Sequence, residues 1–193
     1  MREIEAEQPK VKISLGSGYN KQEGYISLDK DPNTSPDAIV DLESDRLPFQ
    51  NDSVDEVRAY HVLEHIGLGF FHLIQEIYRV CKEGAFVDIV VPHHFHEVFI
   101  NDPTHKRPIT VEGMRLFSKK HNQVCIQNKD SSSCLGIAYG VDFEIMWFGF
   151  VYDPFYKDII ANNTYQQNER LLREAVNVAI ETKIQLIVIK QQA

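Results

Sequence analysis

The stretch KISLGSGYNKQEGYISLDKD, residues 12–31, decides how the rest of the chain is read. Its apolar lead-in runs into a small glycine turn at Gly16–Gly18, and a second apolar stretch, residues 25–28, ends at Asp29. A strand, a glycine turn and a second strand closing on a carboxylate is the order of a nucleotide-binding α/β fold. In such folds ligands lie outside the carboxyl ends of the strands. Yet only the six residues 19–24 separate Gly18 from Tyr25, whereas parallel strands are normally joined by a crossover of a dozen residues or more. The link is therefore expected to be one tight turn, and one sheet face loses the helix that would cover it.

Further strands are expected at residues 11–15, 38–40 (ending at Asp41), 56–60 and 85–92. Phe70, Ile74, Ile77, Tyr78 and Cys81 recur at helical spacing and predict a core helix over 70–82, with Gly84 as its stop. Short apolar strands joined by helical or loop crossovers imply an α/β, Rossmann-like three-layer sandwich with a mostly parallel sheet. Two later strands, FEIMWFGFVY (143–152) and KIQLIVIK (183–190), place an antiparallel strand near the C-terminus. Thr110 is expected to cap a short helix. Thr164 with Gln167 forms a capping box for another, with Leu171, Leu172, Ala175, Val176 and Ala179 on one side. That helix, over 165–181, is expected to cover the exposed sheet patch or to pack on a second subunit in a homodimer. Residues 119–142 are polar, serine-rich and aperiodic, which predicts a mobile loop or lid.

The 193 residues suit a single domain, 1–193, with a cofactor-binding half over 11–107 and a variable acceptor or cover half over 108–193. Acidic residues outnumber basic ones 28 to 20, for a net charge of −8, and HKR at 105–107 is the densest basic cluster. Nucleic-acid affinity comes largely from Lys and Arg neutralising phosphates, so no nucleic-acid partner is expected. MREIEAEQPK has no apolar run, which argues against a signal peptide or a membrane anchor. Three cysteines without ligand spacing fit a reducing, cytoplasmic location.

Carboxylates ending successive parallel strands share one sheet edge. Asp29 is placed to accept two ribose hydroxyls. Asp41 is placed to accept the adenine amino group, with the backbone of Leu42 reading a ring nitrogen. A dinucleotide is a poor fit: the third glycine of its fingerprint falls on Lys21, and Asp29 comes too soon after the turn.

Together, ISLGSG, GYISLD, AIVDLE, LPFQNDSVDEVRAYHVLEHI and IQEIYRVCKEGAFVDIVVP resemble the class I S-adenosylmethionine-dependent methyltransferases. The resemblance is strongest to a small subgroup, methyltransferase type 11-like, with a shortened first crossover. It covers roughly residues 11–107 and extends to DPTHKRPIT at 102–110. It implies S-adenosyl-L-methionine as cofactor, with Gly16, Ser17 and Gly18 against its methionine part. Asp29 would hold the ribose, Asp41 and Leu42 the adenine, and Tyr60 and His61 would line the methyl donor. Ser14 stands where the wider family often has an acidic residue, and Ala85 replaces the second glycine of its PGG turn.

The expected function is methyl transfer to a small molecule, with a sugar or metabolite hydroxyl as the leading acceptor. The alternative is a catalytically silent S-adenosylmethionine-binding module with a regulatory or assembly role. A hydroxyl acceptor needs a base, and His105, His94 and His65 are the candidates. His105 is favoured because Asp102 lies nearby, while Glu64 and His65 also read as anchors of the turn after the fourth strand. His93, His94, His96 and His105 with Asp102 have the donors of a zinc or iron site. Their spacing matches no compact zinc motif, the resemblance implies no metal, and none is expected.

Overall fold

A computed structural model describes residues 9–190. Seven strands form one sheet in the order β3-β2-β1-β4-β5-β7-β6. They are β1 (Lys12–Leu15), β2 (Ile26–Asp29), β3 (Ala38–Ile39), β4 (Val54–Tyr60), β5 (Cys81–Pro92), β6 (Phe143–Tyr152) and β7 (Ala179–Val188). The pairs from β3 through β5 are parallel, and β7 runs antiparallel to both β5 and β6. The Rossmann-like architecture with its antiparallel C-terminal strand is therefore present, and both halves of the chain contribute to one sheet.

Along one register line Ile13, Val57, Val87 and Leu186 lie side by side, and all are buried. Helix α1 (Phe70–Val80) closes this face with Leu73, Ile74, Ile77 and Val80, which belong to the same apolar cluster. It stops earlier than its spacing predicts because Cys81 pairs directly with Val54 and enters β5. Gly84, at a φ of 74°, consequently lies inside the strand and does not cap the helix.

The neighbouring register line, on the opposite face, reads Ser14, Arg58, Asp88 and Gln185. Here no helix joins β1 to β2, and only a three-residue 3-10 turn, Pro32–Thr34, lies between β2 and β3. The outer layer is thin, and polar side chains take its place. Lys12 bridges Glu56 at 2.7 Å, Tyr25 donates to Glu56, Gln185 donates to Asp88 at 2.8 Å, and Arg58 lies 3.8 Å above the Tyr60 ring. Alternation of apolar and polar residues is what a sheet wetted on one face requires.

Beyond β5 come α2 (Glu97–Asn101) and α3 (Val111–Arg115), the latter capped by Thr110 as expected. The loop expected over 119–142 is instead two helices, α4 (Lys119–Asn128) and α5 (Leu135–Tyr139). Asn122, 1% exposed, joins them to the rest. Its amide donates to the Leu116 carbonyl at 2.9 Å, and its side-chain oxygen accepts from the Ile137 N–H at 3.1 Å. A buried polar anchor replaces the apolar stripe that periodicity detects. Between β6 and β7 lie α6 (Lys157–Asn162) and α7 (Tyr165–Glu174). The capping box of Thr164 and Gln167 is present, but the helix ends at Glu174, and Ala179 already belongs to β7. Rather than covering the Arg58 face, α7 lines a cavity with β6.

Candidate active site

Gly16 and Gly18 both adopt left-handed backbone, at φ of 56° and 50°. At Gly16 a second constraint applies: an added Cβ would sit 2.5 Å from Cγ2 of Val62. The turn after β1 thus packs directly on the loop after β4, and only glycine allows both the conformation and the approach. The Ser17 N–H donates to the Leu28 carbonyl at 3.1 Å. Its buried hydroxyl has no hydrogen-bond partner among the described residues.

Asp29 ends β2, half-buried. Oδ2 accepts from the Gly18 N–H at 2.7 Å and Oδ1 from the Asp31 N–H at 2.9 Å. Each oxygen keeps a further lone pair for a ligand hydroxyl. Asp41, just past β3, accepts from the Glu43 N–H at 3.0 Å, beside buried Leu42. Glu43 itself, which the motif reading missed, holds the loop before α1 through the N–H groups of Gly67 and Gly69. The glycines around Leu68 were its only sequence signal. Because β1, β2, β3 and β4 are parallel, the turn, Asp29, Asp41 and the Tyr60–His61 corner all lie at one edge.

Tyr60 closes β4 and is partly exposed, while His61 turns the chain with a φ of 51°. His61 Nε2 lies 3.0 Å from Glu181 of β7, and Nδ1 lies 3.6 Å from Glu64, too long for a hydrogen bond. The Glu64 carboxylate raises the His61 pKa against the effect of burial, and Glu181 adds to the rise.

The histidines after β5 separate. His93 is buried, which pushes its pKa down to about 4, helped by His94 and His96. His96 caps α2, accepting from the Val98 N–H at 3.1 Å, and its other nitrogen faces Asp153 at 3.4 Å. The donors weighed from sequence, His93, His94, His96, His105 and Asp102, lie apart and do not form one ligand group among the described residues. His105 stacks on Phe99, with Nδ1 2.7 Å from the Phe99 carbonyl. Its Nε2 is 3.9 Å from Asp102, so the backbone and not the aspartate sets the ring. The His65 and His105 rings are 4.7 Å apart.

His94 alone of the three base candidates lines the large cavity of about 890 Å³ beside β6 and α7. Its walls include Phe148, Phe150, Tyr152 and Leu172. Burial lowers the His94 pKa, so the imidazole is neutral near pH 7, and its Nδ1 has no partner among the described residues.

Residues 19–102 match the family described as a methyltransferase domain. No curated protein matches the chain. A solved S-adenosylmethionine-dependent methyltransferase from Archaeoglobus fulgidus is similar at a TM-score of 0.61 and 16% identity, over 92% of this chain and 86% of that one. One from Methanosarcina mazei gives 0.56 and 14%, over 95% of both chains. A phosphoethanolamine N-methyltransferase from Haemonchus contortus gives 0.54 and 13%, over 96% of this chain and 50% of that one. Motifs, family match and strand order agree on one class: this is a class I S-adenosylmethionine-dependent methyltransferase fold. S-adenosylmethionine is the cofactor of that class, and the glycine turn with Asp29 and Asp41 fits it. Among the described residues no helix is long and apolar enough to cross a membrane.

Proposed function

We propose that the protein is an active methyltransferase that moves a methyl group from S-adenosylmethionine to the hydroxyl of a small molecule, a sugar or related metabolite. The observation that carries the reading is the aromatic cavity with His94 on its wall. Strands β1, β4 and β5 are parallel, so residues following Leu15, Tyr60 and Pro92 emerge at the same edge. Asp29 would accept the ribose hydroxyls, Asp41 and Leu42 would hold the adenine, and Gly16, Ser17 and Gly18 would face the methionine part. Tyr60 and His61 would flank the methyl donor.

A sulfonium methyl supplies its own driving force, so the chain's tasks are alignment, exclusion of water and removal of the acceptor proton. Neutral His94 would take that proton as the oxygen attacks the methyl carbon in line, while the S–CH3 bond breaks and its electron pair stays on sulfur in the departing S-adenosylhomocysteine. The net charge of −8 supports a small acceptor over nucleic acid. So does the Haemonchus contortus neighbour, whose complex holds phosphomonomethylethanolamine and S-adenosylhomocysteine. Three free cysteines support a cytoplasmic setting, and the polar Arg58 face needs no second subunit to cover it.

The test is incubation with methyl-labelled S-adenosylmethionine and a fractionated metabolite pool. Label appearing in a small hydroxyl compound supports the reading. Tight cofactor binding with no transfer to any fraction would instead mark a silent binding module.

A further inference from the structure

We propose that Glu64, His65 and His105 form a binding site for a divalent first-row transition-metal ion. Among the described residues this is the group whose carboxylate and imidazole donor atoms all lie within 4.8 Å of one another. Donors about 2.0–2.2 Å from a shared ion stand closer together than that, and small side-chain rotations would bring them in.

Three observations point to a cation. The first is Glu64 itself, 1% exposed, with neither carboxylate oxygen hydrogen-bonded among the described residues. A buried carboxylate without partners is costly and calls for a counter-charge. Within 4.0 Å only His61 Nδ1 approaches, 3.6 Å from Oε1 and on a half-exposed ring shared with Glu181. It offsets the charge in part, and Oε2 has no cationic neighbour among the described residues.

The second is the tautomer of each imidazole. A backbone carbonyl only accepts, so His105 Nδ1 must carry the proton it gives to Phe99. Thr104 Oγ1 lies 2.6 Å from Asp102 Oδ1, to which its hydroxyl must donate. The same oxygen, 2.9 Å from His65 Nδ1, is then left to accept from that nitrogen. Both rings thus keep a bare Nε2, with Nδ1–H tied to a carbonyl or hydroxyl as metal-binding histidines usually are.

The third is the rigidity of the site. The Glu64 carbonyl accepts from the Lys106 N–H at 2.7 Å and the Arg107 N–H at 3.3 Å. The Arg107 side chain donates to the carbonyls of Ile66 and Gly67, at 3.1 and 2.5 Å. Segment 105–107 is thereby fastened to the 3-10 turn Leu63–His65 before any ion arrives.

Two imidazoles and one carboxylate suit zinc, manganese or iron better than magnesium or calcium, which prefer all-oxygen sites. Three protein ligands also leave coordination positions open. The assignment departs from the sequence expectation of no metal, and it does not depend on the methyl-transfer reading.

Untagged, chelator-stripped full-length protein is titrated with Co²⁺, read by its visible absorption, and with Zn²⁺, read by calorimetry. One ion per chain is expected. Glu64→Gln and His105→Ala should each weaken binding beyond the roughly 10–100-fold typical of outer-shell changes, and Thr104→Val by about that amount. As a check needing no variant, Zn²⁺ should protect the partly exposed His65 of the wild type from diethylpyrocarbonate. No stoichiometric uptake by the wild type, or unchanged affinity in Glu64→Gln and His105→Ala, overturns the assignment.

Discussion

The Asp29 carboxylate accepts a hydrogen bond from the backbone N–H of Gly18 at 2.7 Å, eleven residues away in sequence. The proposed ribose acceptor therefore also holds the shape of the glycine turn. Asp29→Ala should weaken S-adenosylmethionine and S-adenosylhomocysteine binding by about 1.5–3 kcal/mol, the range for hydrogen bonds to a charged group. Asp29→Asn keeps one acceptor for Gly18 and should lose less. Calorimetry with both ligands decides it, and wild-type affinity in Asp29→Ala would remove the residue from the ribose site.

Gly16 meets two independent constraints, a positive φ and contact with Val62. Gly16→Ala should lower the melting temperature and cofactor affinity together, with the left-handed backbone alone costing about 1–2 kcal/mol. Adding Val62→Ala should relieve the clash and recover part of the loss, never the backbone share. Full recovery in the double variant would mean that φ is unimportant here.

If His94 is the base, His94→Ala should lower kcat on the authentic acceptor by roughly 10²–10⁴-fold while cofactor affinity stays put. Burial lowers its pKa, so the group is protonated, and activity lost, only at a pH below the ordinary histidine range. A pH–rate profile in the wild type should show that acid limb, and the variant should lack it. A near-wild-type kcat in His94→Ala would point to alignment without a base.

Burial pushes the His93 pKa down to about 4 from the ordinary histidine value of 6.5, so the ring is neutral in the folded protein above that pH. Between those values the unfolded chain binds more protons, so stability rises with pH across the window and falls on acidification. The loss should be on the order of 3 kcal/mol at most between pH 6.5 and pH 4. His93→Asn retains an acceptor for the Phe95 N–H and should flatten this part of the curve. Thermal denaturation of the two proteins at several pH values is the measurement, and identical slopes would exclude His93 as the titrating group.

The strand-and-turn half was legible because it is written in local signals: apolar runs, glycines and terminal aspartates. Asp29 and Asp41 reach one edge simply because parallel strands end together. What escaped depends on partners distant in sequence. Asn122 anchors α4 through Leu116 and Ile137, and no spacing rule marks a buried amide as a helix support. His105 faces Phe99 and His65 rather than Asp102, a choice made by the fold of residues 97–107. Glu64 reads in sequence as an anchor of the turn after β4, and its burial and the return of Lys106 and Arg107 to its carbonyl have no local signal.

The shortened link between β1 and β2 also bears on how the chain first assembles. Ile13 pairs with Ile26, whereas β1 reaches β4 only through the pairing of Ile13 with Val57. Closing a loop costs roughly (3/2)RT times the logarithm of its length. The β1–β2 contact is therefore cheaper in chain entropy than the β1–β4 contact by about 1 kcal/mol. Parallel sheets are slow to form because such closures precede their reward. Here the least demanding closure is the one that shapes the glycine turn, so the proposed cofactor seat is favoured to form among the earliest parts of the sheet. Pulse-labelled hydrogen exchange during refolding would register it as early protection at Ser17, whose N–H bonds the Leu28 carbonyl.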